Sequence, residues 1–102
     1  MELSIIERLV LLNILPKEGN FLTLKLIRQL RESLSFDEAE IKAVNLRQVD
    51  EKVAWDMDKA VPKKIEIGEK MSDLVVGTLK DLDKEGKLKD EHFSLFEKFV
   101  EI

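Results

Sequence analysis

The sequence predicts an α+β fold of about five helices, with one two-stranded antiparallel β-hairpin packed on them. Three observations predict it. Apolar residues recur at helical spacing through most of the chain. The period changes to two across the middle, on both sides of a polar turn. Pro16, Gly19, Pro62 and Gly86 fall at the joints between these segments. The chain has 102 residues, enough for a single globular domain over residues 1–102 and too few for two. Hydrophobic residues at 44% suffice for one core, and charged residues at 37% are numerous enough to cover it.

The first helix is expected over residues 3–15. Leu3, Ile5, Ile6, Leu9, Val10 and Leu12 cover more than half of its circumference. A helix that apolar either runs through the middle of the core or turns half its surface to a partner chain. Pro16 ends it, and Gly19-Asn20 turns the chain. The second helix, over residues 21–34, carries Leu24, Ile27, Leu30 and Leu34 on one stripe, with Lys25, Arg28, Gln29 and Glu32 opposite. The string Ser35-Phe-Asp-Glu38 has the form of a capping box, so a short third helix is expected from Phe36 to about Ala43.

Val44, Leu46 and Gln48 then alternate with Asn45, Arg47 and Val49. Beyond Asp50-Glu51-Lys52, the residues Val53, Trp55 and Met57 alternate with Ala54, Asp56 and Asp58. This predicts the hairpin, with Trp55 on a buried face beside Val53 and Met57. Pro62 interrupts the chain. Ile67, Met71, Leu74, Val75, Thr78 and Leu82 place a fourth helix over residues 67–84, with Gly86 as its left-handed cap and Leu88 folding back over it. Asp90 and Glu91 open a fifth helix bearing Phe93, Leu95, Phe96, Phe99 and Val100, and apolar Ile102 suggests a docked end.

Composition excludes several chemistries. The chain has no cysteine, hence no disulfide, thiolate metal site or cysteine nucleophile. A net charge of −4 gives no overall attraction to nucleic acid or an anionic membrane. No basic leader precedes the apolar run at the N-terminus, and that run is too short to span a bilayer; the expected location is cytoplasmic. Lys and Glu are abundant while Asn and Gln together number five, a bias reported for thermophile proteins.

The motif nearest to a functional site is Asp81-Leu-Asp83-Lys-Glu85-Gly86-Lys-Leu88, followed by Lys89-Asp-Glu-His92. Acids at loop positions one, three and five and glycine at six match an EF-hand calcium loop. Position twelve, which should give a bidentate glutamate, is His92. Without those two oxygens, Asp81, Asp83 and Glu85 read as a charged helix end with a glycine cap. His92 is the only histidine. Asp90, Glu91 and Glu97 stand near it in sequence, but no cysteine or tyrosine exists and Ser94 lies on another helix face. No glycine-rich phosphate loop occurs, so no cofactor is expected and the chain reads as non-enzymatic.

Two binding classes remain. Three helices followed by a hairpin is the element order of many winged-helix domains, whose third helix enters the major groove. Here that helix opens with Asp37, Glu38 and Glu40, the hairpin turn is net acidic, and Lys25, Arg28 and Arg31 are spread around the second helix. Nucleic acid is therefore the alternative. The favoured reading is binding to another protein, or a homodimer, through surplus apolar surface at Ile5, Leu9, Leu12, Phe93 and Phe96.

Four strings, Leu15-Pro-Lys-Glu-Gly-Asn-Phe21, Phe36-Asp-Glu-Ala-Glu-Ile41, Ile65-Glu-Ile-Gly-Glu69 and Glu91-His-Phe-Ser-Leu-Phe-Glu97, together resemble short uncharacterised bacterial proteins of phage or prophage type. The resemblance covers most of the chain and carries no known activity or catalytic residue. It implies an accessory or host-interaction protein.

Overall fold

Four long helices close into a ring around one core in the computed structural model, which describes residues 1–100. The elements run β1 (Glu2–Leu3), α1 (Ile5–Ile14), α2 (Phe21–Leu34), α3 (Glu38–Val44), β2 (Arg47–Val49), β3 (Lys52–Ala54), a 3₁₀ turn (Met57–Lys59), β4 (Lys63–Lys64), α4 (Glu69–Lys84) and α5 (Asp90–Phe99). Helix α1 packs on α2 and α5, and α4 packs on the same two from the other side. Leu11, Leu30, Leu34, Val75, Leu79 and Leu95, none of them solvent-exposed, fill the space between. The class is α+β, as the periodicities predict. The expected docking of Ile102 falls outside the described residues.

The ends of the helices follow from local chemistry. Ser4 caps α1: its Oγ accepts from the Glu7 N–H at 3.2 Å, and Glu7 Oε1 accepts from the Ser4 N–H at 2.9 Å. This is a capping box, and the one expected at Ser35 does not form. Ser35 instead ends α2, its N–H donating to the Arg31 carbonyl at 2.9 Å and its hydroxyl to that of Glu32 at 2.8 Å. Asp37 caps α3 through the Glu40 N–H, at 2.8 Å. At the far end of α4, Gly86 adopts φ +67°, and the Lys87 N–H reaches the Leu82 carbonyl at 2.8 Å. That is the expected glycine cap. Asn45, at φ 53°, ends α3 in the same way, with the Leu46 N–H on the Ile41 carbonyl.

The hairpin forms around a two-residue turn, with Gln48 opposite Val53 and Val49 opposite Lys52. Its expected buried face does not exist. Trp55 is half-buried, Val53 is 44% exposed and Met57 is 79% exposed. The strands stop after three residues because the Asp56 N–H returns to the Val44 carbonyl at 2.7 Å and the chain coils into the 3₁₀ turn. The hairpin thus stands off the ring with α3. Between residues 37 and 62 only Val44 is buried. A second antiparallel pair, β1 with β4, joins Leu3 to Lys63 and Glu2 to Lys64. Two-residue strands have no alternation to read, so the sequence does not announce them.

Candidate functional site

Helix α1 answers the question its composition raised: it is central. Ile5, Val10 and Leu11 are buried. Ile5, expected at an interface, is therefore covered by its own chain and is not available to a partner. Leu9 and Leu12 are half-buried, and Leu12 packs on the core. The large apolar side chain that α1 does expose is Ile6.

Helix α5 is different. It turns His92, Leu95 and Phe99 inward. Phe93 points out, 68% exposed, and Phe96 lies half-buried between the two faces. Leu88, from the turn after α4, joins Phe93 and Phe96 to line a cleft of about 220 Å³, with Lys89 and Glu97 at its rim. Phe96 also borders the next depression, shared with Val100 of the α5 cap and with Gly77, Lys80, Asp81 and Lys84 of α4. Among the described residues nothing lies within 4 Å of where a Gly77 Cβ would stand, so none of them fills the groove along α4. The site is an apolar groove between α4 and α5 with mixed charges on its edges.

The acidic motif does not form a loop. Asp81 and Asp83 belong to the regular turns of α4, which continues to Lys84, and Glu85 pairs with Lys87 at 3.3 Å. A helical backbone spreads these carboxylates around its axis, where an EF-hand needs them to converge. Among the described residues no three such side chains gather closely enough to hold a metal ion. His92 is 5% exposed, and its Nδ1 accepts the Lys89 N–H at 3.0 Å. That bond closes the first turn of α5 and gives the ring a structural task.

Two buried charged residues escaped the sequence reading. Arg8 is 1% exposed. Its Nε donates to the Leu34 carbonyl at 3.1 Å and its Nη2 to the Ser35 carbonyl at 2.7 Å, satisfying the last carbonyls of α2. Its Nη1 meets Glu40 Oε2 at 2.6 Å, and its Cζ stacks 4.0 Å from the Phe36 ring centroid. Lys63 reaches the same carboxylate at 3.0 Å. The Arg8 guanidinium thus ties α1 to the α2–α3 turn and to Glu40 of α3, and that carboxylate in turn holds Lys63 of β4. Glu7, also buried, accepts from Lys98 at 2.7 Å and fastens α5 to α1. The signal for both was their position inside the most apolar helix, where an unpaired charge would be intolerable.

Hydrogen bonds from Arg8, outweighing the opposing effect of burial, hold the Glu40 carboxyl down at about 2, against an ordinary 4.5. Burial pushes Glu7 up, but bonds from Lys98 and the Ser4 N–H more than offset it, and its carboxyl also lies below the ordinary range. A depressed carboxylate stabilises the fold fully above its unfolded-state value. That contribution fades as the pH falls from 4.5 toward 2 for Glu40. Acid titration followed by circular dichroism is expected to show stability falling through this window, with a shallower slope in Glu40→Gln, which has no charge to lose.

Among the described residues no helix is long and apolar enough to cross a membrane. No protein-family model matches the chain, and no curated protein or solved structure matches it either.

Proposed function

We propose that the protein is a non-catalytic, cytoplasmic association module that docks through the α4–α5 groove, in its simplest form onto a second copy of itself. The observation that carries this reading is Phe93. A phenylalanine exposed over two thirds of its surface, standing as one wall of the cleft it forms with Leu88 and Phe96, offers an anchor and a pocket in one patch. In a two-fold pair each Phe93 enters the cleft of the other chain, since one patch serves both sides. Burying a phenylalanine side chain is worth about 1.5–3 kcal/mol, and the pair buries two. The charged rim, Lys89 opposite Glu97, suits an antiparallel approach of two α5 helices.

Sedimentation over a concentration series tests it. The wild-type chain is expected to show a dimer that Phe93→Ser converts to monomer with unchanged helicity. A wild-type monomer at the highest concentration would end the self-association reading.

The order of three helices and a hairpin keeps winged-helix DNA binding as a second reading. Against it, α3 opens with Asp37, Glu38 and Glu40, and the hairpin turn is Asp50-Glu51, so both presumed contact elements repel phosphate. A gel shift at low salt decides between the two.

A further inference from the structure

The basic residues of α2 meet on one face. Phe21, Leu24, Arg28 and Arg31 recur at i, i+3, i+7 and i+10, one helical stripe. Arg28 and Arg31 join Lys17, from the turn before α2, around a cleft of about 330 Å³ floored by Pro16, Leu24 and Ile27. The expectation that the α2 cations form no patch is therefore corrected for Arg28 and Arg31: the turn brings Lys17 across to them.

None of the three cations has an ion-pair partner among the described residues, whereas Arg8, Lys42, Arg47, Lys63, Lys87 and Lys98 do. Among the described residues no carboxylate lines the cleft. The depressions along α4, at the N-terminus and beneath α3 all contain carboxylates. In a chain of net charge −4, this is a local concentration of uncompensated positive charge. Phe21, 82% exposed, and Leu24, 38% exposed, extend the stripe as an apolar shelf.

We infer that this cleft receives a short acidic, amphipathic segment of a partner protein, with its carboxylates on Lys17, Arg28 and Arg31 and an apolar side chain on Leu24 and Phe21. The planar guanidinium forks suit carboxylates. The floor is aliphatic. A single-stranded nucleic acid needs aromatic platforms for successive bases, and the stripe has one aromatic ring. From Phe21 to Arg31 the helix rises about 15 Å. A longer polyanion would run off the cleft onto a surface more acidic than the chain as a whole, whereas a short acidic segment ends within it. The face is separate from the α4–α5 groove, so either can fail without the other.

The test uses three probes on the full chain: a synthetic helical peptide with Asp and Glu opposite Leu and Phe, the same peptide with Lys in place of every acid, and an oligothymidylate. Calorimetry is expected to show binding of the acidic peptide alone, weakening as salt is raised. The double variant Arg28→Glu, Arg31→Glu should lose at least about tenfold in affinity for it and gain affinity for the lysine peptide, because exposed pairs are individually weak but their reversal adds repulsion. Leu24→Ser should weaken binding without changing its salt dependence. Circular dichroism of each variant verifies the fold, and Phe93→Ser should bind like wild type. No heat with the acidic peptide at low salt, equal binding of the oligothymidylate, or undiminished binding by the charge-reversed variant would each overturn the inference.

Discussion

Replacing Arg8 with methionine is expected to destabilise the protein by about 3 kcal/mol in urea unfolding, the lower end for removing one partner from a buried ion pair, because Glu40 is itself 26% exposed. Methionine roughly matches the aliphatic stem, so packing is largely kept. What goes is the guanidinium. The Leu34 and Ser35 carbonyls then lose their donor at the end of α2, and Glu40 keeps only Lys63, a half-exposed side chain. The loss also has a location. Residues 37–62 bury only Val44, and Glu40 ties them to Arg8 in the ring. Trp55 sits in that segment and is the only tryptophan. In Arg8→Met its fluorescence should change at lower urea than the far-ultraviolet circular dichroism, which reports the four long helices. Adding Glu40→Leu should recover part of the loss, since it removes the stranded charge. Coincident transitions, or a loss below about 1 kcal/mol, would show that Arg8 is a surface-like contact and not a hub.

Leu30→Ala is expected to cost about 2–5 kcal/mol, the range for deleting a buried leucine side chain. Leu30 is fully buried on α2, the helix that touches both α1 and α4. The cavity would open where the ring of helices closes, among side chains already held by their neighbours, and partial collapse sets where in that range the value falls. Leu22→Ala, at a 59% exposed position of the same helix, supplies the control: at an exposed site away from capping or buried polar groups, a change of about 0.5 kcal/mol or less is usual. Equal losses at the two positions would mean that α2 does not face the core as described.

The contrast between these helices explains what could be read in advance. The boundaries of α2, Phe21 to Leu34, follow from a clean stripe between a turn and a serine, and they match the structure residue for residue. The glycine cap of α4 and the acidic opening of α5 were equally legible, because each depends only on neighbours in sequence. Failures came where a distant partner decides. Ser35 looks like a helix start, but α2 claims it as an end, and Arg8 takes its carbonyl. Trp55 looks buried by alternation, but the strands are too short to lay that face on the ring. Ile5 and Phe93 are both apolar residues on rich stripes. Only the packing of α1 between α2 and α5 separates the first, covered, from the second, left in solvent. Arg28 and Arg31 looked scattered until the turn at Pro16 set Lys17 across from them.

The central claim is that the α4–α5 groove is the association surface, and nuclear magnetic resonance over a dilution series tests it most directly. Concentration-dependent shifts are expected at Leu88, Phe93, Phe96 and Val100, converging on one dissociation constant, while Leu30 and the hairpin stay constant. Shifts that are independent of concentration at the groove, or that map instead to Val49, Val53 and Met57 on the hairpin side, would contradict it.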